Sequence, residues 1–165
     1  MKKITYLFIS LILLINISAC AGYKPIYGSS NLDFKIADYS IIGNKKLGNQ
    51  IYSKLYNLSR SNENNPEAKN INISINVLKE KNATTKNTAG KILAYKIQLS
   101  TAVKVNDFMT NNEILNENFV SSLSYKVQDQ HSDTIKLEKR SIENLLDKTY
   151  QDLLLKLSEN ILLKW

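Results

Sequence analysis

The chain has 165 residues, a single Cys, a single His and a net charge of +7 at pH 7 from 22 basic and 15 acidic side chains. That length suits one domain and leaves little room for a second. One cysteine excludes an internal disulfide, and basic residues that are scattered and almost all Lys, with only Arg60 and Arg140 as Arg, exclude the basic face of a nucleic-acid-binding protein.

The first segment is an export signal. Lys2 and Lys3 precede an apolar run from Ile4 to Ile15, interrupted only by Thr5 and Ser10, and Ser18-Ala19 supply small residues at a cleavage point. A spanning helix needs roughly 20 apolar residues, whereas this run stops at Asn16. Ile17-Ser18-Ala19-Cys20 looks like a lipobox, in which the thiol of Cys20 takes a diacylglyceryl group and its amine is acylated after cleavage. Acylation explains a lone cysteine in an exported chain, and two or more acyl chains make a stable anchor. The expected organisation is a cleaved signal peptide over 1–19, an acylated linker over 20–31 and a single domain over 32–165. Cleavage removes Lys2 and Lys3 and lowers the net charge to +5. Ala21 is not the Asp that retains lipoproteins at the inner membrane of enteric bacteria, so the expected location is the outer membrane, lipid-anchored and facing the periplasm. The covalent lipid on Cys20 is the only non-protein group expected.

Leu32 to Ile42 alternates imperfectly and predicts a first strand, which Gly43-Asn44 ends. Leu47, Ile51, Leu55 and Leu58 fall at helical spacing, with Tyr52 and Tyr56 one position round, and leave Lys45, Lys46, Asn49 and Lys54 to solvent. Ser59 to Ala68 is rich in Asn and Ser and contains Pro66, which predicts a loop. In Asn70 to Val77 the strict alternation of Ile71, Ile73, Ile75 and Val77 with Asn and Ser predicts a half-buried strand. Lys79 to Lys91 reads as a polar connection. It leads to a strand over Ile92 to Val105, with Leu93, Tyr95, Ile97, Leu99, Thr101, Val103 and Val105 on one face. Asn106-Asp107 and Thr110 to Glu113 are turn material before a strand over Ile114 to Val127, where Phe119, Leu123, Tyr125 and Val127 share a face. From Ile135 or Ser141 to Trp165, apolar residues at three- and four-residue spacing predict a long helix, with Ser132, Asp133 or Ser141 as its N-cap. The order β-α-β-β-β-α predicts an α+β fold, a two-layer sandwich of two helices on one face of a four-stranded, mainly antiparallel sheet whose other face is polar and exposed.

Cys20-Ala21-Gly22-Tyr23-Lys24-Pro25-Ile26-Tyr27-Gly28 resembles the mature N-terminus of the lipopolysaccharide-assembly lipoprotein LptE family of alphaproteobacteria. There an acylated Cys is followed by Gly, an aromatic, a basic residue, Pro, an aliphatic, Tyr and Gly. Leu47 to Leu58 is similar to that family's first helix, Ile92 to Val105 to its strand with an Ala-Tyr pair, and the last helix to its amphipathic closing helix. The resemblance implies a protein that plugs and assists assembly of the LptD β-barrel, forming with it the translocon that delivers lipopolysaccharide to the cell surface. It also implies lipopolysaccharide contacts from Lys79, Lys81, Lys86 and Lys91 near the tip between the second and third strands, and from Lys136. Here Lys stands where the family mostly has Arg, so such contacts are those of a point charge rather than a bidentate fork. The other reading of the same residues is a free-standing periplasm-facing lipoprotein, a lipid-transport auxiliary or binding module.

No enzyme is expected. His131 sits in a turn-like Asp-Gln-His-Ser-Asp stretch, no ligand cluster has metal spacing, and no nucleophile and base can be paired around the single His.

Overall fold

The computed structural model describes residues 32–61 and 65–163; the expected signal peptide, the linker and Cys20 lie outside the described residues. The elements are β1 (Phe34–Gly43), α1 (Lys45–Arg60), β2 (Lys69–Lys86), β3 (Ile92–Asp107), β4 (Glu113–Lys126) and α2 (His131–Leu163). The sheet order is β1-β2-β3-β4. β1 and β2 run parallel, joined through α1, and the other pairs are antiparallel. A parallel neighbour needs a crossover, and α1 supplies it.

The chain turns from β1 into α1 in two residues. Gly43 adopts φ +74°, and a Cβ there would stand 2.4 Å from the carbonyl oxygen of Val77, so only glycine fits. The next residue, Asn44, donates its backbone N–H to that same carbonyl at 2.7 Å. Its side chain then caps α1 by accepting from the N–H of Leu47. At the other end of α1, Ser59 accepts the backbone N–H of Ile36 at 3.0 Å, beside the bulge between Ile36 and Asp38 that leaves β1 short of ladder bonds.

The core is the layer between the helices and one face of the sheet. Ile71, Ile73, Ile75 and Val77 of β2 are buried as their alternation predicts, with Val105 and Val103 of β3 opposite Ile73 and Ile75, and Leu99 and Ile97 continue the buried row of β3. Leu47, Ile51 and Leu55 of α1 and Leu145, Leu146, Leu153 and Leu157 of α2 close it from above. Each such side chain contributes about 1.5–3 kcal/mol of burial. On the flank, Tyr39 of β1 stacks on Tyr52 of α1 with ring centroids 4.0 Å apart, and Tyr52 on Tyr56 at 5.8 Å.

Three expectations are corrected. The polar connection over Lys79 to Lys91 is mostly strand: β2 runs on to Lys86, held by pairing with β3 down to Lys86 opposite Ile92. Because β1 ends opposite Val77, no described strand pairs with the other side of β2 from Leu78 onward. Leu93 is exposed rather than inward. α2 begins at His131, so Ser132 and Asp133 lie in its first turn and Ser141 is buried mid-helix. Asp133 there meets the positive end of the helix dipole.

Candidate functional site

Past Val77 the β2–β3 hairpin continues as an arm, with β4 paired along the edge of β3 and the start of α2 on its inward side. Lys79 and Lys81 occupy the inward positions that isoleucines fill lower down. They can do so because α2 presents Glu138. Its carboxylate accepts from Lys81 at 2.5 Å, lies 3.8 Å from Lys79 and accepts the Tyr125 hydroxyl at 3.1 Å. The Lys81 ammonium stands 4.3 Å over the Tyr95 ring, which tilts against Tyr125 at 5.9 Å. The hydrogen bond to Glu138 raises the Lys81 pKa against the effect of burial. For Glu138 burial acts upward, yet the bonds from Lys81 and Tyr125 and the nearby ammonium charges prevail and hold its carboxyl below the ordinary range. Burial pushes the Tyr125 phenol up. This cluster ties the arm to the helix in one charge-assisted network.

The other two arm lysines are placed differently. Lys86 ends β2 beside irregular pairing at Thr85, and Lys91 closes the turn. Asn87 holds that turn: its side chain accepts the N–H groups of Ala89 and Lys91, its N–H donates to the Lys91 carbonyl, and Gly90 takes φ +81°. Lys86 and Lys91 are exposed and make no ion pair among the described residues. Lys136 is apart from them on α2, bonded to Asp133 at 3.0 Å. Sequence reasoning missed Lys96 and Lys126, which the register sets on the open face of the same arm, opposite Ser124 and Ala94. Their positions in the β3 and β4 alternation carry that signal.

The open sheet face is the second surface. Its rows read Asp38, Asn72, Asn106; then Ser40, Ser74, Lys104, Asn116; then Ile42, Asn76, Ala102, Asn118. Short polar side chains bond to one another there, as Ser40 to Ser74 at 2.9 Å and Ser100 to Asn118 at 3.1 Å. Among the described residues, the side-chain oxygens of Asn72, Asn76 and Asn106 are themselves buried beneath this surface and find no donor. Ile42, Leu78 and Val120 add apolar points, each more than half exposed. A third feature is a cleft of about 560 Å³ between α1 and α2, floored by Ile51 and Leu146. Lys54 and Asp147 form an ion pair at its rim.

No protein-family model matches the chain, and no curated protein sequence does. Solved structures do. A Caulobacter crescentus protein described as a candidate lipoprotein superposes with a TM-score of 0.55 at 14% identity, covering 83% of this chain and 96% of its own. Lipoprotein B of Nitrosomonas europaea gives 0.54 at 18%, over 81% and 88%. Rare lipoprotein B of Shewanella oneidensis gives 0.53 at 12%, over 78% and 99%. At such identities the likeness is one of fold, and the chain shares the fold of these bacterial lipoproteins.

Proposed function

We propose that this chain is an outer-membrane lipoprotein, acylated at Cys20, which plugs and assists assembly of an LptD-type β-barrel and offers its arm to lipopolysaccharide. The observation that carries the reading is the one-sided build. Both helices lie on one face of the sheet, leaving a broad open face of Asn, Ser and Lys side chains. The lumen of a large barrel is polar, and a surface of short hydrogen-bonding side chains suits it. The fold shared with lipoproteins supports the anchored part of the reading, as does the resemblance around Cys20. No helix among the described residues is long and apolar enough to cross a membrane, so within this reading the acyl chains hold the protein.

On the arm, Lys86 and Lys91 are the phosphate contacts, with Lys96 and Lys126 beside them. Lys79 and Lys81 serve chiefly to brace the arm through Glu138. No catalytic role and no nucleic-acid partner are part of this reading.

Purification of the acylated protein from detergent-solubilised membranes tests the plug. A stable one-to-one complex with a large barrel is expected, and recovery of a monomer instead favours the free-standing auxiliary. A Lys86→Glu, Lys91→Glu double variant tests the arm. At about 1 kcal/mol for each basic residue beside an anionic lipid surface, it should weaken lipopolysaccharide binding about tenfold or more while leaving the barrel complex intact. Unchanged binding retires the arm as the contact.

A further inference from the structure

The turn between β3 and β4 places Phe108 and Met109 at its tip, 49% and 79% exposed. Turns ordinarily carry Gly, Asn, Asp or Ser, and the residues around this pair are of that kind. The tip is built firmly. The Asp107 carboxylate accepts the N–H groups of Met109 and Thr110 at 2.9 and 2.8 Å. The backbone N–H of Asp107 donates to the Asn112 carbonyl and that of Asn111 to the Asp107 carbonyl. Asn111 takes φ 56° and accepts from the Asn106 side chain. The bonds from Thr110 and Met109 hold the Asp107 carboxyl below its usual range against slight burial. A hydrogen-bonded turn of this kind keeps two large apolar side chains in solvent where neither serves the core.

The position of this turn says what covers it. Lys69 N–H donates to the Asp33 carbonyl at 3.0 Å, and Phe108 N–H to the Asn70 carbonyl at 2.9 Å. The start of the described chain, the start of β2 and the Phe108 turn are therefore neighbours at one end of the sheet. With strands about 4.8 Å apart, Asp33 and Phe108 lie on the order of 10 Å from each other. Twelve residue steps separate Cys20 from Leu32, a reach of at most about 40 Å. The arm tip stands at the other end of β2, about 55 Å away at the usual rise per strand residue.

We infer that the Phe108–Met109 turn is a membrane wedge, an apolar tip that enters the bilayer surface to which Cys20 is tethered. The inference rests on the acylated-lipoprotein reading but not on the barrel. Asp33, Glu67 and Asp107 stand near this end with Lys35, Arg60 and Lys69, so charge does not draw it to an anionic surface. The contact is apolar, and it is insensitive to salt. One exposed apolar pair could not hold the protein on a membrane alone, but a tethered chain needs only a small added contact to fix its orientation.

The test places a tryptophan in the turn. The acylated full-length product, carrying Phe108→Trp in a Trp165→Phe background, is reconstituted without a barrel into phosphatidylethanolamine vesicles containing a brominated phospholipid. A companion variant in the same background carries Leu93→Trp at the arm end instead. The turn variant is expected to show blue-shifted emission of which about half is quenched, as for a side chain 5–10 Å into the interface. The arm variant is expected to stay unquenched, and neither signal to change with salt. Equal quenching of the two in vesicle-bound protein overturns the wedge and leaves the anchor standing. A blue shift in the turn variant without bromine quenching places the turn against protein, a second copy of the chain included, and overturns it as well. Protein that fails to float with the vesicles removes the anchor and the wedge together. Because no barrel is present, absence of a barrel partner in cells does not bear on the result.

Discussion

The lower half of the sheet and its arm use the same strands and hold them by different means. Below Val77, β2 has strands on both sides and helices above, and its inward positions are Ile71, Ile73, Ile75 and Val77. Above it, β2 has a strand on one side only among the described residues, and its inward positions are Lys79 and Lys81, satisfied by Glu138 and the Tyr95 and Tyr125 rings. Stability in the first region comes from removing apolar area from water on every inward position, while in the second only β3 supplies such positions, Leu99 and Ile97 opposite Lys79 and Lys81, and the lysines add a partly exposed polar network worth a fraction of that burial. The comparison shows that the arm's charge is peripheral to what keeps the protein folded.

Perturbing each region in turn sharpens that contrast. Phe34 is fully buried at the start of β1. Phe34→Ala should lower unfolding free energy by about 3–5 kcal/mol in urea denaturation, and a loss under about 1 kcal/mol would remove the lower half from its place as the stable region. Gly43→Ala forces a side chain into a left-handed turn against the Val77 carbonyl. It should cost about 1–3 kcal/mol, read from the same curves.

Glu138→Gln should cost about 1 kcal/mol near neutral pH. The carboxyl is held below the ordinary range when folded, so the stability it supplies is present above that range and is lost as pH falls through the folded value. The urea midpoint of the parent should therefore approach that of Glu138→Gln on acidification. A gap between them that does not close would mean the side chain acts by packing, not charge. Smallest of all, Lys86→Glu with Lys91→Glu should shift stability by no more than about 0.5 kcal/mol; a larger loss would show that the tip is part of the fold.

What could be read from residues alone follows the same division. The alternation in Asn70 to Val77 and the stripe of Leu47, Ile51 and Leu55 announce themselves because water exclusion imposes a period on them. The parallel pairing of β1 with β2 is not assigned by the residues alone, which predict only a mainly antiparallel sheet. The extension of β2 to Lys86 was not visible, because backbone pairing with β3 sustains it and no apolar face is required. The start of α2 stays open between Ile135 and Ser141 in the sequence, because Leu137 is the one apolar side chain its first two turns pack against the core and their other inward residues, Thr134 and Glu138, are polar. Lys79 and Lys81 stand out as basic in the sequence, but the bond from Lys81 to Glu138 depends on a contact 57 residues away. Lys96 and Lys126 were hidden inside strands counted for their apolar neighbours.

The stretch of β2 beyond the end of β1 has one further consequence. Among the described residues no strand covers that side of β2, and a strand without a neighbour is a template on which another chain can add itself. Lys79, Glu80 and Lys81 stand along that edge, so an incoming strand would have to dehydrate charges there for each backbone bond it gained. The bracing lysines thus also act as gatekeepers against aggregation.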